Sequence, residues 1–381
     1  MAIRRVALHV GGLLGPFGGG VAAPMLPQLA GSLYLTLGAA GWAITTYFVP
    51  FAAVQLVSGT LGERWGRRRT TRAAFLAYAV ASVLCAIAPG AALFFAGRVL
   101  QGVANAFTTP LLVAGLAEAA GPAMLPRTLG VFAASQAAGQ SLAPLVGALS
   151  IPVGWRWAYV LPALVAVALA LAPPPGEPRP KAGGPRFGPL ITGRMAVISA
   201  AGFTTYLAGA GLPFLVSLYA ERRLGVSSTV LGLVLVGFGV AAIVLAPFWG
   251  MVSGRIGAPV AAAAGLTGCG VFVALVGWTG SVAALATAWT AAGGLLALAT
   301  VGVQSLAAAE VPGNRGGAVS VVSAFRFAGG AVAPLIWLPL YTGSRSSAEL
   351  VFSLAGAVAL LGAVAALTLR RATTVDVIAV E

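Results

Sequence analysis

The sequence predicts an all-α membrane protein of twelve transmembrane helices in two pseudo-symmetric six-helix bundles. Three observations carry this. The 381-residue chain is 59% hydrophobic and only 8% charged, whereas a soluble domain carries about a quarter charged residues; it lacks the polar surface that a soluble globule needs. Its apolar runs are long enough for helices of about 20 residues and lack the alternation of a membrane β-strand. Helices then satisfy the backbone in lipid. Finally, Gly59, Arg64 and Gly66 recur as Gly250, Arg255 and Gly257, and Gly139, Ala143, Pro144 and Leu145 recur as Gly329, Ala333, Pro334 and Leu335. Two features at nearly one offset indicate two related halves, an arrangement common in transporters.

The spans are expected at roughly 6–28, 39–58, 71–89, 92–114, 128–149 and 157–172, and at roughly 194–219, 228–249, 258–278, 281–307, 316–341 and 348–369. The first run, after Arg4 and Arg5, is read as a span rather than a signal peptide. Proline is dense from Pro173 to Pro185, which breaks a helix and favours extended chain. The domains are therefore expected as 1–172, a cytoplasmic linker 173–193, and 194–381 with a short cytoplasmic tail. With both termini inside, the outer loops hold only Arg156, Arg222, Arg223 and Arg345, two arginines lie in spans, and the other sixteen bases are inside. That is the bias of the positive-inside rule.

The densest charged run is Gly59-Thr60-Leu61-Gly62-Glu63-Arg64-Trp65-Gly66-Arg67-Arg68-Arg69, between the second and third spans. Charge bias explains the arginines but not the spaced glycines or Glu63. This run resembles the signature loop of the major facilitator superfamily, G-x-L-a-D-r-x-G-r-[RK], with Glu63 where Asp is usual. Arg98, Gln101 and Gly102 resemble that family's fourth-helix motif. Gly130, Gly139, Ala143, Pro144, Gly147 and Ala148 resemble its fifth-helix antiporter motif, with alanine at two glycine positions. Trp155-Arg156-Trp157 resembles the opening of its sixth helix. The resemblance implies the major facilitator fold, and the fifth-helix motif leans toward the twelve-helix drug:proton antiporters, which export small molecules against proton entry. It also implies that Gly59, Glu63, Arg64, Gly66, Arg67 and Arg68 form a conformational switch, and that Arg98 takes part in proton transfer or gating.

Arg98 lies about six residues into its span, roughly 10 Å deep. It keeps its charge there, so it is expected to face the bundle interior. Arg98, Gln101, Asn105 and Thr108 share one helical face. Arg326 lies near mid-membrane, at the repeat position of Gln136, with Gln140 one turn beyond. Gln136, Gln140 and Arg326 are candidates for a substrate or proton path, though the glutamines also suit hydrogen bonding between helices. Tyr206 and Trp289 are weaker candidates for its wall.

The acids are Glu63, Glu118, Glu177, Glu221, Glu310, Glu349, Asp376 and Glu381, and none is expected at mid-span. Glu118, Glu310 and His9 are the groups left to titrate. Two cysteines in apolar spans and one histidine give no disulfide framework and no metal set. No cofactor and no catalytic residue is expected, and a membrane enzyme has little support. Net charge is +14, but its placement in alternate loops points to a bilayer rather than nucleic acid. The expected protein is a monomeric secondary transporter of a bacterial plasma membrane, coupling a small-molecule substrate to protons. The alternative is a uniporter or exchanger of an anion bound by Arg98 and Arg326.

Overall fold

A computed structural model describes residues 2–172 and 186–370. The linker at 173–185 and the tail beyond Arg370 lie outside the described residues. No described residue is in a strand. In chain order the helices are α1 (Ala2–Gly20), α2 (Leu26–Ser32), α3 (Leu37–Ala40), α4 (Trp42–Trp65), α5 (Arg67–Ile87), α6 (Ala91–Ala106), α7 (Thr108–Ser150) and α8 (Trp157–Leu171). There follow α9 (Gly193–Thr205), a π-helical turn (Tyr206–Ala210), α10 (Pro213–Leu224), α11 (Ser228–Ile256), α12 (Ala258–Val276), α13 (Val282–Glu310), α14 (Arg315–Trp337) and α15 (Arg345–Thr368).

Among the described residues, ten helical stretches are long and apolar enough to cross a membrane. The chain is thus a multi-pass membrane protein. The expected sixth span is the shorter helix α8. The expected fourth and fifth spans do not have a loop between them: α7 runs unbroken for 43 residues from Thr108 to Ser150. The connecting residues, Ala117 to Leu125, include four alanines, which favour helix, and here they outweigh Pro122 and Pro126. Exposed apolar side chains such as Leu164, Val244 and Leu361 sit where lipid solvates them.

The chain forms two compact units. One comprises Met1–Ala119, Ser135–Gly188 and Pro312–Val321; the other comprises Ala120–Ala134, Pro189–Val311 and Val322–Glu381. Each unit therefore takes in a short stretch from the opposite half of the sequence. In the first unit α4 packs on α6, α6 on α5, and α5 on α8; in the second, α11 packs on α13, α13 on α12, and α12 on α15. These are the same pairings displaced by one repeat.

Glycines set the close approaches in both units. A Cβ at Gly139 would overlap the carbonyl of Leu13, and one at Gly329 would overlap that of Phe203. The fifth-helix motif thus does one job twice, letting its helix lie against the first helix of the repeat without side chains between. Gly59 meets the Gly316 carbonyl in the first unit, and a Cβ at Gly250 would lie 2.7 Å from the Pro126 carbonyl in the second. Gly66 and Gly257 have φ of 94° and 85°, so each signature loop turns through a conformation that side chains disfavour.

Both cysteines are free and buried, so a thiol-reactive dye reports unfolding. Gly139→Val and Gly329→Val should each lower the unfolding temperature by several degrees, since overpacking costs about 1–3 kcal/mol even against movable side chains. Gly31→Ala, with nothing within 4 Å of its Cβ, should leave it unchanged. Equal unfolding temperatures for all three would contradict the close-approach reading.

Candidate functional site

Arg98 is the most deeply buried charge described, with 0% exposure. Each of its three nitrogens donates a hydrogen bond: Nε to the Ala43 carbonyl at 2.8 Å, Nη1 to Gln101 Oε1 at 2.7 Å, and Nη2 to the Gly18 carbonyl at 2.9 Å. Its guanidinium also lies 4.6 Å from the ring centre of Tyr47 and 5.8 Å from that of Tyr159. The Gly18 carbonyl is in the last turn of α1, where helix carbonyls lack an internal partner and the dipole favours a cation. Gln101 donates to Ser82 at 2.7 Å, and Ser82 to the Tyr78 carbonyl at 2.8 Å. Asn105 donates to Tyr47 at 2.7 Å, Tyr47 to the Gly15 carbonyl at 2.8 Å, and Thr108 to Asn105 Oδ1 at 2.7 Å. The polar stripe is real, and in this structure it is packed: one network joins α1, α4, α5, α6 and α7, with Tyr159 of α8 against its centre.

The repeat fills this place differently in the second unit. Trp289 stands at the position equivalent to Arg98, and Phe238 at that of Tyr47. The two rings stack at 4.5 Å, and Trp289 has 0% exposure. Trp289 is therefore a packing residue of α13 here.

Arg326 has the opposite situation from Arg98. It is only 6% exposed and lies over the ring of Tyr206 at 5.0 Å. Tyr206 sits on the π-helical turn and packs edge-on against Phe327 at 5.4 Å. Among the described residues no acceptor bonds the Arg326 guanidinium, and its Nε is a buried donor without a partner. Gln136 is half-buried and Gln140 exposed; both belong to the first unit and Arg326 to the second.

The signature loop is an ion cluster. Arg67 holds Glu63 through two nitrogens, Nε at 3.1 Å and Nη2 at 2.8 Å, and its third nitrogen meets Glu118 on α7. Arg64 is exposed and lies 5.1 Å over the ring of Phe187, while Arg68 is exposed. A Cβ at Gly316 would lie 3.0 Å from Glu63, so the acid sits beside the start of α14 within the first unit. Ser320, on that helix, bonds Ser58 at 3.0 Å and accepts from the Gly59 amide at 3.1 Å. Asn314 donates to Thr60 at 2.9 Å. In the second unit, Glu310 pairs with Arg194 at 2.7 Å. Of the antiporter-type motif, Ala143 and Gly147 are buried with Gly139, whereas Pro144 is exposed. Trp155 is buried against Phe94 and Tyr159, and Arg156 folds over it at 4.5 Å.

Sequence reasoning missed Tyr47 and Tyr159 as the walls around Arg98. The signal for Tyr47 was present: it lies at the same repeat spacing from Phe238 as Arg98 from Trp289.

Together, repeated helix bundles, apolar exteriors and buried fixed charges define a polytopic membrane protein of the transporter type. The Major Facilitator Superfamily profile matches residues 8–199 and again 198–379; the chain belongs to that superfamily. It is 35% identical over 158 residues to the uncharacterized MFS-type transporter EfpA of Mycobacterium tuberculosis, covering 40% of this chain and 30% of EfpA. It is 34% identical over 127 residues to the multidrug resistance protein B homolog of the same organism, covering 33% of this chain and 24% of that protein. The chain thus spans less than a third of the length of these curated relatives. In fold it is similar to the human organic anion transporter MFSD10, with TM-score 0.79 and 17% identity over 95% of this chain and 98% of that one. It is also similar to the proton:xylose symporter XylE, with TM-score 0.76 and 15% identity over 95% of this chain and 94% of that one.

Arg98→Ala should cost about 3 kcal/mol or more, because it strands buried acceptors that each cost about 1–3 kcal/mol when unpaired. Arg98→Lys should recover only part of this, since an ammonium cannot reproduce the planar, three-sided contact. Thermal unfolding with the thiol dye measures both. An unchanged unfolding temperature in Arg98→Ala would show that the network does not hold the bundle.

Proposed function

We propose that this protein is a secondary transporter that exports drug-like or small metabolite molecules from a bacterial cell in exchange for protons, as a monomer with both termini cytoplasmic. The observation that carries the reading is the antiporter-type motif, Gly139, Ala143, Pro144 and Gly147, with Gly139 set against the backbone of α1. Relatives named as a multidrug resistance protein and as drug efflux pumps, including JefA, support it. Alternating access is then a rocking of residues 1–172 against 194–381, with the linker between them.

The conformational switch falls to the ion cluster. Mid-span carries two permanent cations, Arg98 and Arg326, whereas Glu63 lies in the last turn of α4 and Glu118 within α7, between the expected fourth and fifth spans. Replacing Glu63 or Glu118 by Gln removes one of the two charges that hold Arg67, and weakens the packing of the loop beside Gly316. A charge pair that is intact in one state and released in the other is a two-state element of the kind that coupling requires. Arg98 serves this cycle by keeping the first bundle rigid, and Gln101 and Asn105 by holding Arg98 and Tyr47 in place.

In inside-out vesicles acidified by respiration, an acid-quenched dye should recover fluorescence when a transported drug-like or small metabolite compound is added. Glu63→Gln should slow the recovery about tenfold or more while leaving the protein folded. Recovery by no compound in a panel spanning cationic, neutral and anionic chemistry would overturn proton-coupled export.

A further inference from the structure

The two mid-membrane arginines are chemically alike and structurally opposite. Both keep their charge, because a guanidinium does not lose its proton in proteins. A charge in the hydrocarbon region is costly and is retained where it meets a partner or a water-filled path. Arg98 meets three acceptors and two rings inside its own unit. Among the described residues Arg326, at 6% exposure, stacks on the ring of Tyr206, and its buried Nε finds no acceptor. Among the described residues, no ion pair brings a carboxylate to Arg326.

Two further features mark the place. Tyr206 opens a π-helical turn, and such turns inside helical spans recur at functional sites because they free backbone groups and re-aim side chains. Gly202, one turn earlier on α9, leaves room for the Arg326 stem: a Cβ there would lie 3.1 Å from Arg326 Cγ. The guanidinium is thus held from one side by an aromatic face, which takes its flat surface and leaves its in-plane N–H groups undirected. Those groups match the paired oxygens of a carboxylate, sulfonate or phosphate.

We propose that Arg326, seated on Tyr206, is an anion-recognition subsite that binds the acidic group of an organic substrate whose remainder is apolar. The inference rests on the transporter reading and narrows its substrate class: the cargo carries a negative group, and Arg326 alone of the two arginines receives it. Tyr206 is a positioning residue that fixes the guanidinium plane.

The test uses purified full-length protein in a neutral detergent, with naphthalene-2-sulfonate as probe and 2-naphthalenemethanol as its uncharged counterpart. The sulfonate should raise the unfolding temperature and bind about tenfold to a hundredfold tighter than the alcohol, the range of a charged hydrogen-bond pair. Arg326→Gln should abolish that preference, and Arg326→Lys should retain part of it. Tyr206→Leu should weaken sulfonate binding while sparing the alcohol. Arg223→Gln, an exposed arginine, should change nothing. Equal binding of the two probes, or a preference that survives Arg326→Gln in folded protein, would overturn the subsite. Stabilisation by phosphatidylglycerol but not by the sulfonate, dependent on Arg326, would also overturn it by assigning the charge to lipid. The vesicle assay separates this from the wider reading. If the sulfonate binds through Arg326 but no compound moves protons, export fails and the subsite stands; if compounds are exported equally by Arg326→Gln, the subsite fails and export stands.

Discussion

A fixed positive charge inside a lipid-solvated bundle has to be met by the protein itself. That constraint shapes the first unit around Arg98. Its partners include two main-chain carbonyls, one in the final turn of α1 and one in the first turn of α4. The end of α1 supplies such an acceptor without any special side chain, and the Ala43 carbonyl can accept through a second lone pair. From Arg98 the network runs through Gln101 to Ser82, while Tyr47, stacked on the guanidinium, leads to Asn105 and Thr108. Helices separated by up to 80 residues in sequence are thereby tied at one point. In lipid there is little hydrophobic drive between helices, so close packing and hydrogen bonds have to hold a bundle together.

The second unit solves the same packing problem without charge. Trp289 on Phe238 occupies the place of Arg98 on Tyr47, and it brings a single N–H donor, buried without a partner among the described residues, where Arg98 directs three nitrogens at acceptors. The charge of the second unit sits instead on α14, where the first unit has Gln136 on α7. The repeat is thus symmetric in backbone, as the paired close approaches of Gly139 and Gly329 show, and asymmetric in electrostatics. The buried arginine whose nitrogens are all hydrogen-bonded lies in one unit, and the one whose Nε has no acceptor among the described residues lies in the other.

Much of this was legible in the sequence. Long apolar runs fixed the helices, and the recurring glycines marked the repeats, because close backbone contact leaves a residue-type signature. The helical face of Arg98, Gln101, Asn105 and Thr108 was readable from spacing. Whether that face was open or packed was not, since periodicity gives direction but not what lies opposite. The acceptors of Arg98 escaped notice because carbonyls belong to every residue type. The continuity of α7 was hidden by Pro122 and Pro126, whose usual effect on a helix is overridden there. The pairing of Arg67 with Glu118, 51 residues apart, depends on how α7 returns to the end of α4, which no local pattern specifies.

The central claim is that one buried guanidinium is locked by the fold and the other is available to a ligand. Protein labelled with 15N-arginine, with Arg98 and Arg326 assigned by single substitutions, allows hydrogen exchange of each guanidinium to be followed directly. The account predicts slow exchange at Arg98 that naphthalene-2-sulfonate does not alter, and a shifted, newly protected Nε signal at Arg326 when the sulfonate is added. Rapid exchange at Arg98, or a response to the anion at Arg98 with none at Arg326, would contradict it.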